Sequence, residues 1–203
     1  MNDVLRRKWH ELLRTWSVAS ILADRTFEDV CEHYNGPDRF YHTIDHVRSV
    51  LETVESPGSY ARNLNAVKRA AWLHDVIYDS RASDNEERSA DYAERLCEQL
   101  SIPEGETVAS LILKTKTHDA GGDADAQVLI DADLAILGAS GEAYRIYAEQ
   151  IRQEYAWVLG RTRLPERSGQ SMRRWQESYS SPRPRAQGRR RRSVERQGPD
   201  QAS

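Results

Sequence analysis

Apolar residues recur through the first 160 positions at the three-to-four spacing of helices packed by one face. Leu5, Trp9, Leu12, Leu13, Trp16 and Ile21 line up over residues 3–22, and Phe27, Val30, Cys31 and Tyr34 over about 26–34. Val47, Val50, Leu51 and Val54 form the next stripe. Leu64, Val67, Ala70, Ala71, Leu73 and Ile77 form another over about 61–76. Ala90, Ala93, Leu96, Cys97 and Leu100 mark a helix over about 84–100, with Ser83 or Asp84 and the following Glu86 or Glu87 reading as a capping box. Pro103 reads as the first turn of a helix carrying Val108, Leu111 and Ile112. Residues 126–137 form a further helix that Gly138 stops, and Tyr144, Tyr147, Ile151, Tyr155 and Val158 line the last, over about 141–159. Asn35-Gly36-Pro37-Asp38, Ser56-Pro57-Gly58 and Gly121-Gly122-Asp123 punctuate the pattern as turns. No stretch alternates with period two, so the expected class is all-α with seven or eight helices. Trp9 and Trp16, a heptad apart, are expected in the core rather than as ligand-stacking rings.

Charge divides the chain in two. The 203 residues hold 29 Lys+Arg and 32 Asp+Glu, for a formal net of −3. Residues 161–203 contain 12 Arg, no Lys and 4 acids, which leaves a net of −11 on residues 1–160. The acidic body disfavours nucleic-acid binding by the folded part. It still permits phosphorylated small molecules where a metal supplies positive charge. Domain boundaries are therefore expected at 1–160 for the folded unit and 161–203 for a Pro/Ser/Arg-rich tail too poor in apolar residues to fold alone. The tail reads as disordered or non-native, since Arg without Lys is what an out-of-frame, GC-rich segment produces; a basic tail touching RNA or acidic surfaces is the other expectation. Two cysteines, Cys31 and Cys97, without a dense framework fit a reduced, cytoplasmic setting. Met1 to Lys8 is charged and leads into no apolar run, so neither a signal peptide nor a membrane span is expected.

Seven polar residues interrupt apolar faces: His42, His46, His74, Asp75, His118, Asp131 and Asp133. They include four of the six histidines and fall on four separate helices, with His42 and His46 one turn apart on the same face. Imidazole plus carboxylate suits a divalent transition ion such as Mn, Fe, Co, Ni or Zn, whereas Mg and Ca favour all-oxygen shells. In helical proteins such a shell forms where facing helices converge on the bundle interior.

The order of a His, a His-Asp pair and a distant Asp resembles the HD-domain superfamily of metal-dependent phosphohydrolases, over about residues 5–158. It is most similar to a bacterial family of predicted HD phosphohydrolases of about 200 residues. That likeness rests on Tyr41-His42 to His46, on His74-Asp75-Val76-Ile77-Tyr78-Asp79 followed by Asn85-Glu86 and Ser89-Ala90, on Thr115-Lys116-Thr117-His118, and on Asp131-Ala132-Asp133-Leu134 running to Leu137-Gly138. The resemblance implies an HD-domain-like helical bundle with His46, His74, Asp75 and Asp133 as metal ligands. His46 is preferred to His42 by its His-x-x-x-Val context and Asp133 to Asp131 by its Ala-Asp-x-Leu context; a swap within either pair stays open. It implies hydrolysis of a nucleotide or other small phosphate ester by a metal-activated water. Asp79, Glu86 and His118 would handle protons, and His42, Arg39, Lys116 and His118 would hold substrate phosphate. Tyr78-Asp79 stands where related guanosine-tetraphosphate hydrolases carry Glu-Asp, which argues against that activity. Two other functions remain open on the same residues: a nucleotide-binding module without rapid turnover, and a di-iron or other metal-dependent lyase or oxygenase. A homodimer is the default assembly.

Overall fold

The computed structural model describes residues 3–56 and 60–159, and among these the chain forms helices and turns and no strand. The predicted tail, 161–203, lies outside the described residues. The helices are α1 (Asp3–Arg14), α2 (Ser20–Tyr34), α3 (Ile44–Val54), α4 (Leu64–Leu73), α5 (Asn85–Gln99), α6 (Gly105–Thr115), α7 (Ala124–Asp133), α8 (Gly141–Glu154) and α9 (Ala156–Leu159), with a 3-10 turn at Leu134–Gly138 after α7. None of them is long and apolar enough to cross a membrane.

The bundle is arranged around α4. Ala66, Val67, Arg69, Ala70, Ala71, Trp72 and Leu73 of this short helix are all buried, and α1, α3, α5, α6 and α7 pack against it. A helix apolar nearly all round has to be interior. Its three alanines let neighbouring helices approach closely, while Trp72 fills the space at the far end. The Trp72 ring meets Trp9 edge-on at 5.1 Å and Phe27 at 6.1 Å. Trp9 Nε1 donates to Thr26 Oγ1, and Tyr34 Oη donates to the Trp72 carbonyl at 3.0 Å. Trp9 and Tyr34 thus contribute area while their polar atoms stay paired. Arg69 is buried as well; its guanidinium lies over Trp16 and donates to the Pro103 carbonyl and to Glu104.

Several boundaries differ from the pattern. The single helix expected over 3–22 breaks after Arg14. Ser17 takes a left-handed φ of 57°, and α2 starts at Ser20 and turns back onto α1. Trp16 is only half-buried at this corner and Ile21 is 66% exposed, so the stripe read across both spans two elements. Asp84 makes no side-chain cap, and Pro103 precedes α6 by two residues; the left-handed Glu104 sits at its N-cap position. The last predicted helix divides into α8 and α9. On α8 only Ala148 and Glu154 are buried, and Tyr155 and Val158 remain more than a third exposed.

Trp72→Ala is expected to cost about 3–5 kcal/mol in urea unfolding, as for large aromatic truncations in a core. Ile21→Ala, on the exposed side of α2, is expected to stay within about 0.5 kcal/mol. Similar losses for both would remove α4 from the centre of the fold.

Candidate metal centre

Three helix ends meet beside α4. His46 lies in the first turn of α3, His74 caps the C-terminus of α4 with Asp75 following, and Asp133 is the last residue of α7. His46 and His74 are buried, and the side chains of Asp75 and Asp133 are 14% and 16% exposed. The two Nε2 atoms are 3.1 Å apart. His74 Nε2 lies 3.1 Å from Asp75 Oδ2 and 3.6 Å from Asp133 Oδ1. His46 Nε2 lies 3.2 Å from Asp133 Oδ1 and 3.6 Å from Asp75 Oδ2.

Two imidazoles and two carboxylates at these separations can be compensated by a cation among them, since burying such groups without compensation is costly. Ligand atoms about 2.1 Å from one ion stand roughly 3–3.5 Å from each other, which matches the spacing here. His46, His74 and Asp75 can hold a metal ion. His74 Nδ1 lies 3.1 Å from the Ala71 carbonyl, a contact in which Nδ1–H donates and turns Nε2 towards His46, Asp75 and Asp133. Burial pushes the His74 imidazole down, but Asp75 and Asp133 together outweigh it and hold it well above the ordinary value. His46 goes the other way: burial lowers it, and Asp133 only partly opposes this. Burial alone would raise the Asp75 carboxyl; His74 dominates and keeps it ionised.

The other sequence-predicted residues divide. His118 joins the cluster, with Nε2 3.4 Å from Asp133 Oδ2 and a left-handed φ of 51° that turns it inward after α6. His42 lies beside it but not on α3: the helix begins at Ile44, so the expected one-turn spacing with His46 does not occur. Its ring stacks on Tyr78 at 4.2 Å, and its Nδ1 is 2.7 Å from Glu154 Oε2. Asp131 is exposed and accepts from Gln127, away from Asp133.

Four residues take other work than the sequence assigned. Arg39 donates through Nη1 to the carbonyls of His42 and Asp75 and through Nη2 to Val76 at 2.7–2.9 Å, so it straps the ligand loop rather than presenting a free cation to phosphate. Lys116 pairs with Glu87 and donates to the Ser83 carbonyl at the α5–α6 surface. Glu86 lies 3.9 Å from the same ammonium. Asp79 is exposed and accepts from the Arg81 N–H, while Asn85 pairs with both of its main-chain groups. It lines a cavity of about 640 Å³ that includes none of His46, His74, Asp75 or Asp133.

Glu154 was not anticipated. Its buried carboxylate accepts from the N–H groups of Phe40, Tyr41 and His42 at 2.8–2.9 Å, meets His42 Nδ1 and accepts from Tyr78 Oη. Burial works to raise it, yet His42 and the amides outweigh burial and bring it down to about 2. One signal was present in the sequence: Glu154 falls three after Ile151 and seven after Tyr147, on the apolar stripe of α8. The end of α8 therefore moulds the loop that carries His42. A separate cleft of about 700 Å³ reaches His46 and Asp133 between α3, the 3-10 turn and α8.

No family model, no curated protein and no solved structure matches the chain.

Glu154→Gln places a donor among donors and is expected to destabilise the protein by about 2–3 kcal/mol near neutral pH. A depressed carboxylate contributes stability above its unfolded value and loses it as pH falls. The difference in thermal midpoint between wild type and Glu154→Gln should therefore shrink as pH drops from about 4.5 towards about 2. A constant difference across that window would show that the charge of Glu154 is not what matters.

Proposed function

We propose that this protein is a metal-dependent phosphohydrolase acting on a small phosphate ester, with the ion held by His46, His74, Asp75 and Asp133. The observation that carries this reading is the convergence of two imidazoles and two carboxylates from three helix ends at 3.1–3.6 Å. The order His, His-Asp, Asp along the chain, similar to that of HD-domain phosphohydrolases, supports it. The mixed N/O shell favours Mn, Fe, Co, Ni or Zn over Mg. When bound, such an ion lowers the pKa of a water and polarises a phosphoryl oxygen.

The chain's own groups do the rest. His118, 3.4 Å from Asp133 and a quarter exposed, is placed to hydrogen-bond a phosphoryl oxygen or move a proton at the edge of the shell. His42 has Nδ1 occupied by Glu154, which orients its ring and leaves Nε2 as the remaining contact. Asp79 and Glu86 face Arg81 and Lys116 rather than the shell, and take no part in proton transfer. Arg39 fixes the main chain of Asp75 and Val76, and with it the direction of the Asp75 carboxylate.

Protein purified without chelator is expected to carry transition metal and to release phosphate from a phosphate-ester panel. His74→Ala and Asp75→Ala should each abolish release and weaken metal binding by more than the roughly 100-fold that a supporting residue costs. Metal affinity of the wild type should also fall as pH is lowered, because imidazole and carboxylate bind metal only when deprotonated. Undiminished turnover in either variant would sink the proposal.

A further inference from the structure

The segment that follows the His-Asp pair is held mainly by side chains. Val76 N–H donates to the Leu73 carbonyl, and Ala82 N–H donates to the Asp79 carbonyl. Between these two bonds the main chain leans on other elements. Arg39 takes the carbonyls of Asp75 and Val76. Ser89 Oγ accepts from the Ile77 N–H and donates to the Ile77 carbonyl, both at 3.1 Å. Asn85 does the same for Asp79: its Oδ1 accepts from the N–H at 3.0 Å and its Nδ2 donates to the carbonyl at 2.9 Å. Ser89 is fully buried and Asn85 nearly so.

Helix geometry explains how α5 can serve both residues. Asn85 and Ser89 stand one turn apart on one face, about 6 Å along the axis. Two residues of extended chain cover about 6.6 Å. A helical pair four apart therefore keeps step with every second residue of an extended segment. Both main-chain groups of Ile77 and of Asp79 face α5, as they would face a neighbouring strand, and the pairing runs antiparallel, 85 with 79 and 89 with 77. Tyr78, between them, carries the ring that stacks on His42 and bonds to Glu154. Asp75 lies two residues before the first rung. Thus α5 supplies none of the four shell residues, yet its first turns shape the stretch that joins Asp75 to Tyr78. The helix is itself packed against α4 and α6, which makes it a firm support.

We propose that Asn85 and Ser89 are positioning residues for the metal shell: their bonds to Asp79 and Ile77 aim the Asp75 carboxylate and hold the Tyr78 ring against His42. This rests on the reading of the four residues as a metal shell, though not on the reaction proposed for it. Neither residue has a hydrogen bond to a shell residue, so the effect passes through the main chain. Removing the Ser89 hydroxyl leaves the N–H and the carbonyl of Ile77 without their partner, and such groups move to find another. That movement turns Asp75 away from His46, His74 and Asp133, which three other helices hold in place.

The test uses the full chain and Mn²⁺ alone. Calorimetric Mn²⁺ affinity and the metal-free thermal midpoint are measured for the wild type, Ser89→Ala, Asn85→Ala and Leu96→Ala, with binding read well below every midpoint. Leu96 is buried on the same helix, two turns beyond Ser89, so its truncation lowers the midpoint without touching the segment. Ser89→Ala and Asn85→Ala should each weaken Mn²⁺ binding by roughly tenfold or more, the cost of losing a supporting partner, while Leu96→Ala binds as the wild type does. Amide exchange on the wild type decides the matter should a variant not fold. Coupling is reciprocal, so Mn²⁺ should slow exchange of the Ile77 and Asp79 N–H groups by roughly tenfold or more. Wild-type affinity in Ser89→Ala and Asn85→Ala, an equal loss in Leu96→Ala, or exchange at residues 77 and 79 that Mn²⁺ leaves unchanged would each overturn the proposal and leave the hydrolase reading intact. The expected pattern of affinities with no phosphate released from any ester would overturn the hydrolase reading and leave the positioning role standing. A wild type that binds no Mn²⁺ would overturn both.

Discussion

His74 sits at the end of a helix that five others cover, so its imidazole has to be satisfied from within the protein. Ala71 accepts from one side of the ring, and the facing side meets His46, Asp75 and Asp133. Every other feature of the site follows from that burial. Trp72 and Tyr34 fix the turn just before it, and Arg39 gathers the carbonyls just after it. Because α4 cannot shift without disturbing five interfaces, the His-Asp pair is held to a position that the ends of α3 and α7 can be fitted against.

Much of this was legible in the sequence because helical periodicity marks the buried stripes directly. The stripes of α3, α4, α5 and α6 reappear as buried faces, and His46 of α3, His74 after α4 and Asp133 of α7 converge. What was not legible depended on partners distant in sequence. The stripe over 3–22 ran through Trp16 and Ile21, and nothing local showed that Ser17 would reverse the chain between them. His42 shares the spacing of a helical pair with His46, but Glu154 draws three consecutive amides into a loop there and delays the helix to Ile44. Arg39 and Lys116 read as phosphate contacts by their charge alone. Their geometry is set by carbonyls and carboxylates that no spacing rule identifies. Asp131 and Asp133 differ only in which side of the last turn of α7 faces α3, a choice made by packing.

The site has two unlike sides. On one, Glu154 ties together His42 Nδ1, Tyr78 Oη and the amides of residues 40–42. On the other, the cleft towards α8 is lined by tyrosines and amides with unused capacity. Hydrogen bonds are concentrated beside His42, while the cleft towards α8 stays open.

The bonds from Glu154 to the 40–42 loop span up to 114 residues of chain. They tie the end of α8 to the loop that precedes α3, so that loop takes its shape only once both ends of the domain are folded against each other.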